Sequence, residues 1–84
     1  MVSLAQAQNE TLVSRSQAKR VLARLERFKE VLLDFKRVTS IGPAFADEIF
    51  RVFRSTHPAV HLVVVNASDE VQKMIRRAES AAAG

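Results

Sequence analysis

Leu33-Asp34-Phe35-Lys36-Arg37-Val38-Thr39-Ser40-Ile41-Gly42-Pro43-Ala44-Phe45-Ala46 is the stretch on which the fold turns. It overlaps the run Glu30 to Phe35 (EVLLDF), short and rich in branched and aromatic side chains, which reads as a strand. Lys36 and Arg37 end that run, and Thr39, Ser40 and Gly42 supply turn residues. Gly42 and Pro43 have the form of a helix cap and its first residue, because proline at that position gives up no hydrogen bond and its φ is already helical. Asp47 and Glu48 then fall in the early turns, where acids complement the helix dipole. Phe45, Ile49, Val52 and Phe53 stand at i, i+4, i+7 and i+8, and Ala46 and Phe50 widen this stripe, so the helix is read as mostly core.

Working outward, Val60 to Val65 (VHLVVV) is nearly continuously apolar, as strands buried on both faces are, and is bounded by His57 and Pro58 before it and Asn66 after it. On the N-terminal side, Ser14 and Gln17 match a capping box, and Ala18, Val21, Leu22, Leu25 and Phe28 follow at helical spacing on one stripe. On the C-terminal side, Ser68 is the expected cap of a helix that begins Asp69-Glu70 and turns Val71, Met74, Ile75 and Ala78 inward. The order α, β, α, β, α implies parallel strands joined by crossovers, hence a small open α/β sheet. Two strands are too few, so a further one is expected from residues 1–13, where Val2 to Leu4 and Thr11 to Val13 are the usable pieces, or from a second chain pairing an edge in a homodimer. Residues 14–80 are then one domain, and 81–84 a disordered or fraying tail.

Composition narrows the task. Eighty-four residues suffice for one domain that buries about two-thirds of its unfolded surface, which excludes a large multi-domain enzyme. The absence of cysteine removes disulfides, a thiol nucleophile and Cys-based zinc together. No apolar run approaches the roughly 18 residues of a membrane span, and residues 1–11 lack the basic and apolar regions of a signal peptide, so a cytoplasmic location is expected. The net charge of +4 is concentrated: Ser14 to Lys29 holds six basic residues against the single acid Glu26. Arg20, Arg24 and Arg27 project opposite the apolar stripe of the first helix, with Arg15 and Lys19 on its flank.

The strand ending in Leu33-Asp34-Phe35, the short basic and hydrophobic turn, and the helix opening after Ile41 resemble STAS domains, the fold of sulfate transporters and anti-sigma-factor antagonists. More closely, Ser14-Arg15-Ser16-Gln17-Ala18-Lys19-Arg20 together with Ile41-Gly42-Pro43-Ala44-Phe45-Ala46-Asp47-Glu48-Ile49-Phe50-Arg51-Val52-Phe53 is similar to a bacterial STAS-like domain family of unknown function, over roughly Leu12 to Ile75. The resemblance implies a small STAS-like open sheet of mostly parallel strands with about three helices. It also implies a non-enzymatic, regulatory protein–protein interaction module. In anti-sigma-factor antagonists, the helix after this strand docks on an ATP-binding, histidine-kinase-like protein, which phosphorylates a serine at the helix start. Carried over by position, the Asp-Ser of that pattern falls on Gly42 and Pro43, neither of which accepts phosphate. The docking surface expected from the resemblance is Ile41, Gly42, Pro43, Ala44 and Phe45 with Phe50 and Arg51.

Other candidates are read from the residues themselves. Ser40, next to the phosphoacceptor position, is either a phosphorylation site or, the preferred reading, a turn residue bonding the local backbone. Arg15, Lys19, Arg20, Arg24 and Arg27 form a basic face that could contact nucleic-acid phosphates, the alternative function; a solvated charged face is the plainer reading, because the stripes place all five phenylalanines in apolar clusters. Ser40-Ile41-Gly42-Pro43 with Ala46 also resembles a helix-hairpin-helix, but that requires 31–38 to be helical and leaves 60–65 without a place. His57 and His61 are too few for a metal site and are read as structural. Asp34, a carboxylate inside an apolar strand, is expected to tie down the Thr39 to Gly42 turn. It makes no recognisable catalytic constellation with Ser40, Asp47, Glu48 or Asn66, and no cofactor is expected.

Overall fold

The computed structural model describes residues 2–3 and 12–83. Its elements run β1 (Val2–Ser3), α1 (Arg15–Leu22), β2 (Glu30–Asp34), α2 (Pro43–Asp47), a π-helical segment (Glu48–Phe53), α3 (Arg54–Thr56), β3 (His61–Val65) and α4 (Asp69–Ala83). α2, the π segment and α3 follow one another without a break and make a single central rod. The sheet order is β1-β2-β3, parallel throughout. β1 pairs Val2 with Leu33 and Ser3 with Asp34, whereas β2 and β3 pair along their whole length, from Glu30 with His61 to Asp34 with Val65. Phe35 N–H donates to Val65 O at 3.0 Å and extends the ladder one step further. Leu4 and Thr11, also expected as strand material, lie outside the described residues, and Leu12 and Val13 are not in a strand.

Strand alternation decides which side chains meet the helices. Val31 and Leu33 of β2, beside Leu62 and Val64 of β3, point into the core that also holds Phe35, Phe45, Ile49, Phe50 and Val71. The central rod touches α1 on one side and α4 on the other, so the three helical rods form one layer over one face of the sheet. Leu32, Val63 and Val65 alternate to the opposite face and are half-buried. The apolar character of 60–65 therefore reflects one buried face and one partly covered face, not the two buried faces expected.

Local chemistry sets the ends of the elements. Ser14 Oγ accepts from Gln17 N–H at 3.1 Å while Gln17 Oε1 accepts from Ser14 N–H at 3.0 Å, a complete capping box. Pro43 is the first residue of α2, and Gly42 is its cap. Ser68 Oγ accepts from Val71 N–H at 3.2 Å and donates to Thr39 O at 3.1 Å, capping α4 while tying it to the loop after β2. Along the central rod the buried positions Phe45, Ile49 and Phe53, and beside them Ala46 and Phe50, repeat every four residues. On an α-helix, four residues overshoot a full turn by about 40°. The wider π turn, closed by i→i+5 bonds, takes up that excess and keeps the stripe on the sheet. Val52, expected on the stripe at i+7, is only half-buried.

Two further expectations are corrected. α1 ends at Leu22, and residues 23–27 form a turn, so Arg24 and Arg27 do not belong to a helix face. Phe28 is 51% exposed and not in the apolar cluster. Residues 81–83 continue α4, and Gly84 lies outside the described residues. Residues 30–34 are a strand, which removes the helix-hairpin-helix reading. Among the described residues, no helix is long and apolar enough to cross a membrane.

Candidate functional site

The loop after β2 delivers the chain to the start of the central rod through two anchors. Ile41 is buried, and Gly42 N–H donates to Leu12 O at 2.8 Å, which seats the loop against the segment leading into α1. Beyond them Pro43 is exposed and Ala44 half-buried. These two residues, with Arg15, Asp47 and Arg51 on one side and Met74, Arg77, Ala78 and Ala81 of α4 on the other, line a groove of about 510 Å³.

The charged wall of the groove is an internally matched network. Arg51 grips Asp47 from one helical turn away through two bonds, one from Nε and one from Nη2 to Oδ2 at 2.8 Å. Arg15, from α1, donates Nη1 to the same Oδ2 at 2.7 Å and to Glu48 Oε1 at 3.4 Å. Hydrogen bonds from Arg51 and then Arg15 hold the Asp47 carboxyl far below the usual carboxylate range, and the same contacts raise both guanidinium pKa values. Bidentate geometry orients Arg51 as well as neutralising Asp47. Arg77 forms no ion pair among the described residues and is the free cation of the groove.

Several sequence-derived site residues are placed differently. Phe45 is fully buried, Phe50 is 1% exposed and Ile41 is 4% exposed, so all three are core and none presents a surface to a partner. Gly42 is buried beneath Val13. Pro43, Ala44 and Arg51 remain available. Arg15 belongs with Asp47 and Glu48, not with a free basic face; Lys19 and Arg20 are exposed on α1, and Arg24 and Arg27 follow in the turn. Ser40 is exposed, and its hydroxyl makes no hydrogen bond among the described residues, so the expected bond to the local backbone is not formed. Asp34 ties β2 to β3 instead of bracing the 39–42 turn: its Oδ1 accepts from Asn66 Nδ2 and from Lys36 N–H, both at 3.0 Å, and these bonds lower its pKa. His57 stacks on Phe53 with ring centroids 4.6 Å apart. Among the described residues, no three His, Asp or Glu side chains converge as metal ligands.

The Asp47–Arg51 contact was visible as an i, i+4 pair of opposite charge. The reach of Arg15 across 32 residues, and the α4 wall with Met74 and Arg77, left no local signal.

A parallel sheet under one helical layer, with the loop after its central strand opening into the central helix, is the architecture of a STAS-like α/β domain. The chain belongs to the family described as STAS-like domain of unknown function (DUF4325), whose model matches residues 17–72. That span runs from α1 through β2, the central rod and β3 into the first turn of α4. No curated protein matches the chain, and no solved structure does.

Proposed function

We propose that this domain is a non-enzymatic, regulatory protein–protein interaction module of the cytoplasm. It docks a protein partner at the groove where the central rod begins. The observation that carries this reading is the rod's start, with Pro43 exposed and Ala44 half-buried, set in a groove of about 510 Å³ between Arg15 and Arg51 on one wall and Arg77 on the other. The Asp47 network holds the Arg15 and Arg51 guanidiniums in place before a partner arrives, so little ordering of that wall remains to be done on binding. The partner class that follows from the STAS-like character is an ATP-binding protein with a histidine-kinase-like fold. Because Gly42 and Pro43 stand where a phosphorylated serine would be expected, release of that partner does not rely on phosphorylation at those two positions.

The test is isothermal titration of the full chain against such a kinase-like protein, with and without a non-hydrolysable ATP analogue. Ala44→Glu and Arg77→Glu change exposed or half-exposed groove residues and are expected to weaken binding at least about tenfold, a loss of roughly 1.4 kcal/mol. Lys36→Glu, outside the groove lining, serves as the control. Wild-type affinity in both groove variants, with an unchanged circular dichroism spectrum, would remove the groove as the docking surface. Arg51→Glu is expected to weaken binding further, since it reverses a wall charge and releases Asp47. A homodimer is a second arrangement, favoured by the outer edge of β3, which has no strand neighbour among the described residues. Light scattering after gel filtration reads it directly.

A further inference from the structure

Helical spacing puts Phe28 on the same stripe as Leu25, yet the structure separates them: Leu25 is buried and Phe28 is 51% exposed. A loose chain is not the reason. Leu25 N–H donates to Leu22 O at 2.9 Å, Phe28 N–H to Leu25 O at 3.1 Å, and His61 N–H to Lys29 O at 2.7 Å. The backbone is pinned on both sides of residue 28, and the ring is presented outward. Arg24, Arg27 and Lys29 lie beside it in the chain, and Arg20 lies near the end of α1; all are exposed and none is in an ion pair among the described residues. The one acid of the segment, Glu26, faces His57 Nε2 at 3.7 Å.

We propose that the turn at 23–29 and the adjoining end of α1 form a binding site for single-stranded nucleic acid, with Phe28 as the stacking platform and Arg20, Arg24, Arg27 and Lys29 as phosphate contacts. An unpaired base offers a free π-face to an exposed ring, whereas the bases of a duplex are already stacked on each other. Unpaired guanidiniums and ammoniums release counterions when they meet a phosphate chain, and here they flank the ring within a few residues. An anionic membrane shares the charge chemistry but needs a continuous apolar face. α1 offers none, because its Ala18 and Leu22 are buried in the core. This surface is made of residues other than those that line the groove at Pro43, so the two sites stand or fall separately.

The test is fluorescence anisotropy of the full chain with labelled oligo-dT and oligo-rU of about 12 nucleotides, and with a duplex of matching length, at about 50 to 300 mM salt. Single strands are expected to bind with log K falling linearly in log salt. Phe28→Ala should weaken them roughly 5- to 150-fold without changing the slope, as expected for the loss of one base–aromatic stack. Phe28→Tyr should restore the affinity, and Phe28→Leu, which keeps apolar bulk without a ring, should not. Arg24→Gln combined with Arg27→Gln should lower the slope by about 1.4, from about 0.7 per phosphate contact. Unchanged melting curves establish that the exposed-residue variants fold. The proposal is overturned by single-strand affinity weaker than about 10⁻⁴ M at the lowest salt, the level of non-specific contact. Wild-type affinity in Phe28→Ala, or equal binding of duplex, overturns it too. Binding to phosphatidylglycerol vesicles that depends on Phe28, without oligonucleotide binding, would assign the patch to a membrane surface instead.

Discussion

Gly42→Ala sets two physical effects against each other, and the structure says which prevails. Gly42 has φ −80° and ψ 160°, an extended conformation open to any residue, so its glycine is not there for backbone freedom. On conformational entropy alone, alanine would stabilise by about 0.4–1 kcal/mol through the unfolded chain. A Cβ at this position, however, would lie 2.8 Å from Val13 Cα and 3.0 Å from Val13 Cβ. The first of these is backbone, which has no rotamer to swing aside. Moving it also strains the Gly42 N–H bond to Leu12 O, and Leu12 is a core residue. Overpacking of this kind costs about 1–3 kcal/mol, and its middle value of about 2 kcal/mol against that gain leaves a net destabilisation of about 1–2 kcal/mol. For a domain of this size, that lowers Tm by roughly 4–16 °C. Thermal melts followed by circular dichroism, with urea titration to confirm an unchanged m value, measure it. A Tm equal to or above wild type would refute the close approach of the 12–14 segment to the start of the central rod.

Asp47→Asn tests the charged wall through pH. Folding lowers the Asp47 pKa, so on acidification the unfolded chain takes up this proton first; the stability the group contributes is whole above the ordinary carboxylate value near 4 and drains away as pH falls below it. The variant should therefore show a shallower loss of Tm between neutral pH and strong acid, though not a flat one, because Asp34 is shifted in the same direction; superimposable profiles would contradict the network. Phe50→Ala is expected to cost about 3–5 kcal/mol as a core truncation, and Phe50→Asp to abolish the cooperative melt. A folded Phe50→Asp protein with a sharp thermal transition would return Phe50 to the surface.

The elements were legible where a local signal has a local cause. Ser14 with Gln17, Pro43 after Gly42, Ser68 before two acids, and the runs at 30–35 and 60–65 each announce an element, and the structure places one at each. The 3.6-residue period misplaces Phe28 because the apolar spacing runs on past Leu22, where no Gly or Pro marks the end of α1. Past Leu22 the chain turns, with Leu25 N–H on Leu22 O, and then reaches the sheet, where Lys29 O accepts from His61 N–H. The motif resemblance puts Phe45 and Phe50 on a docking surface, although burial is the simpler fate for apolar rings at helical spacing. Arg15 and Asp34 show the opposite limit: their partners, Asp47 and Asn66, are each 32 residues away, and only the folded chain brings them together.

The π segment at Glu48–Phe53 gives the central rod a phase as well as a direction. Each residue advances an α-helix by about 100°, so eight α-helical steps from Phe45 to Phe53 would run about 80° past two full turns, whereas seven would fall within about 20° of them. The wide turn therefore absorbs one extra residue while keeping Phe45 and Phe53 on one line. Deleting one residue within this segment, and with it the wide turn, would leave Pro43, Ala44 and Asp47 facing Arg15 and the α4 wall. Inserting a residue without a second wide turn would rotate them by about 100° and turn the groove out of register.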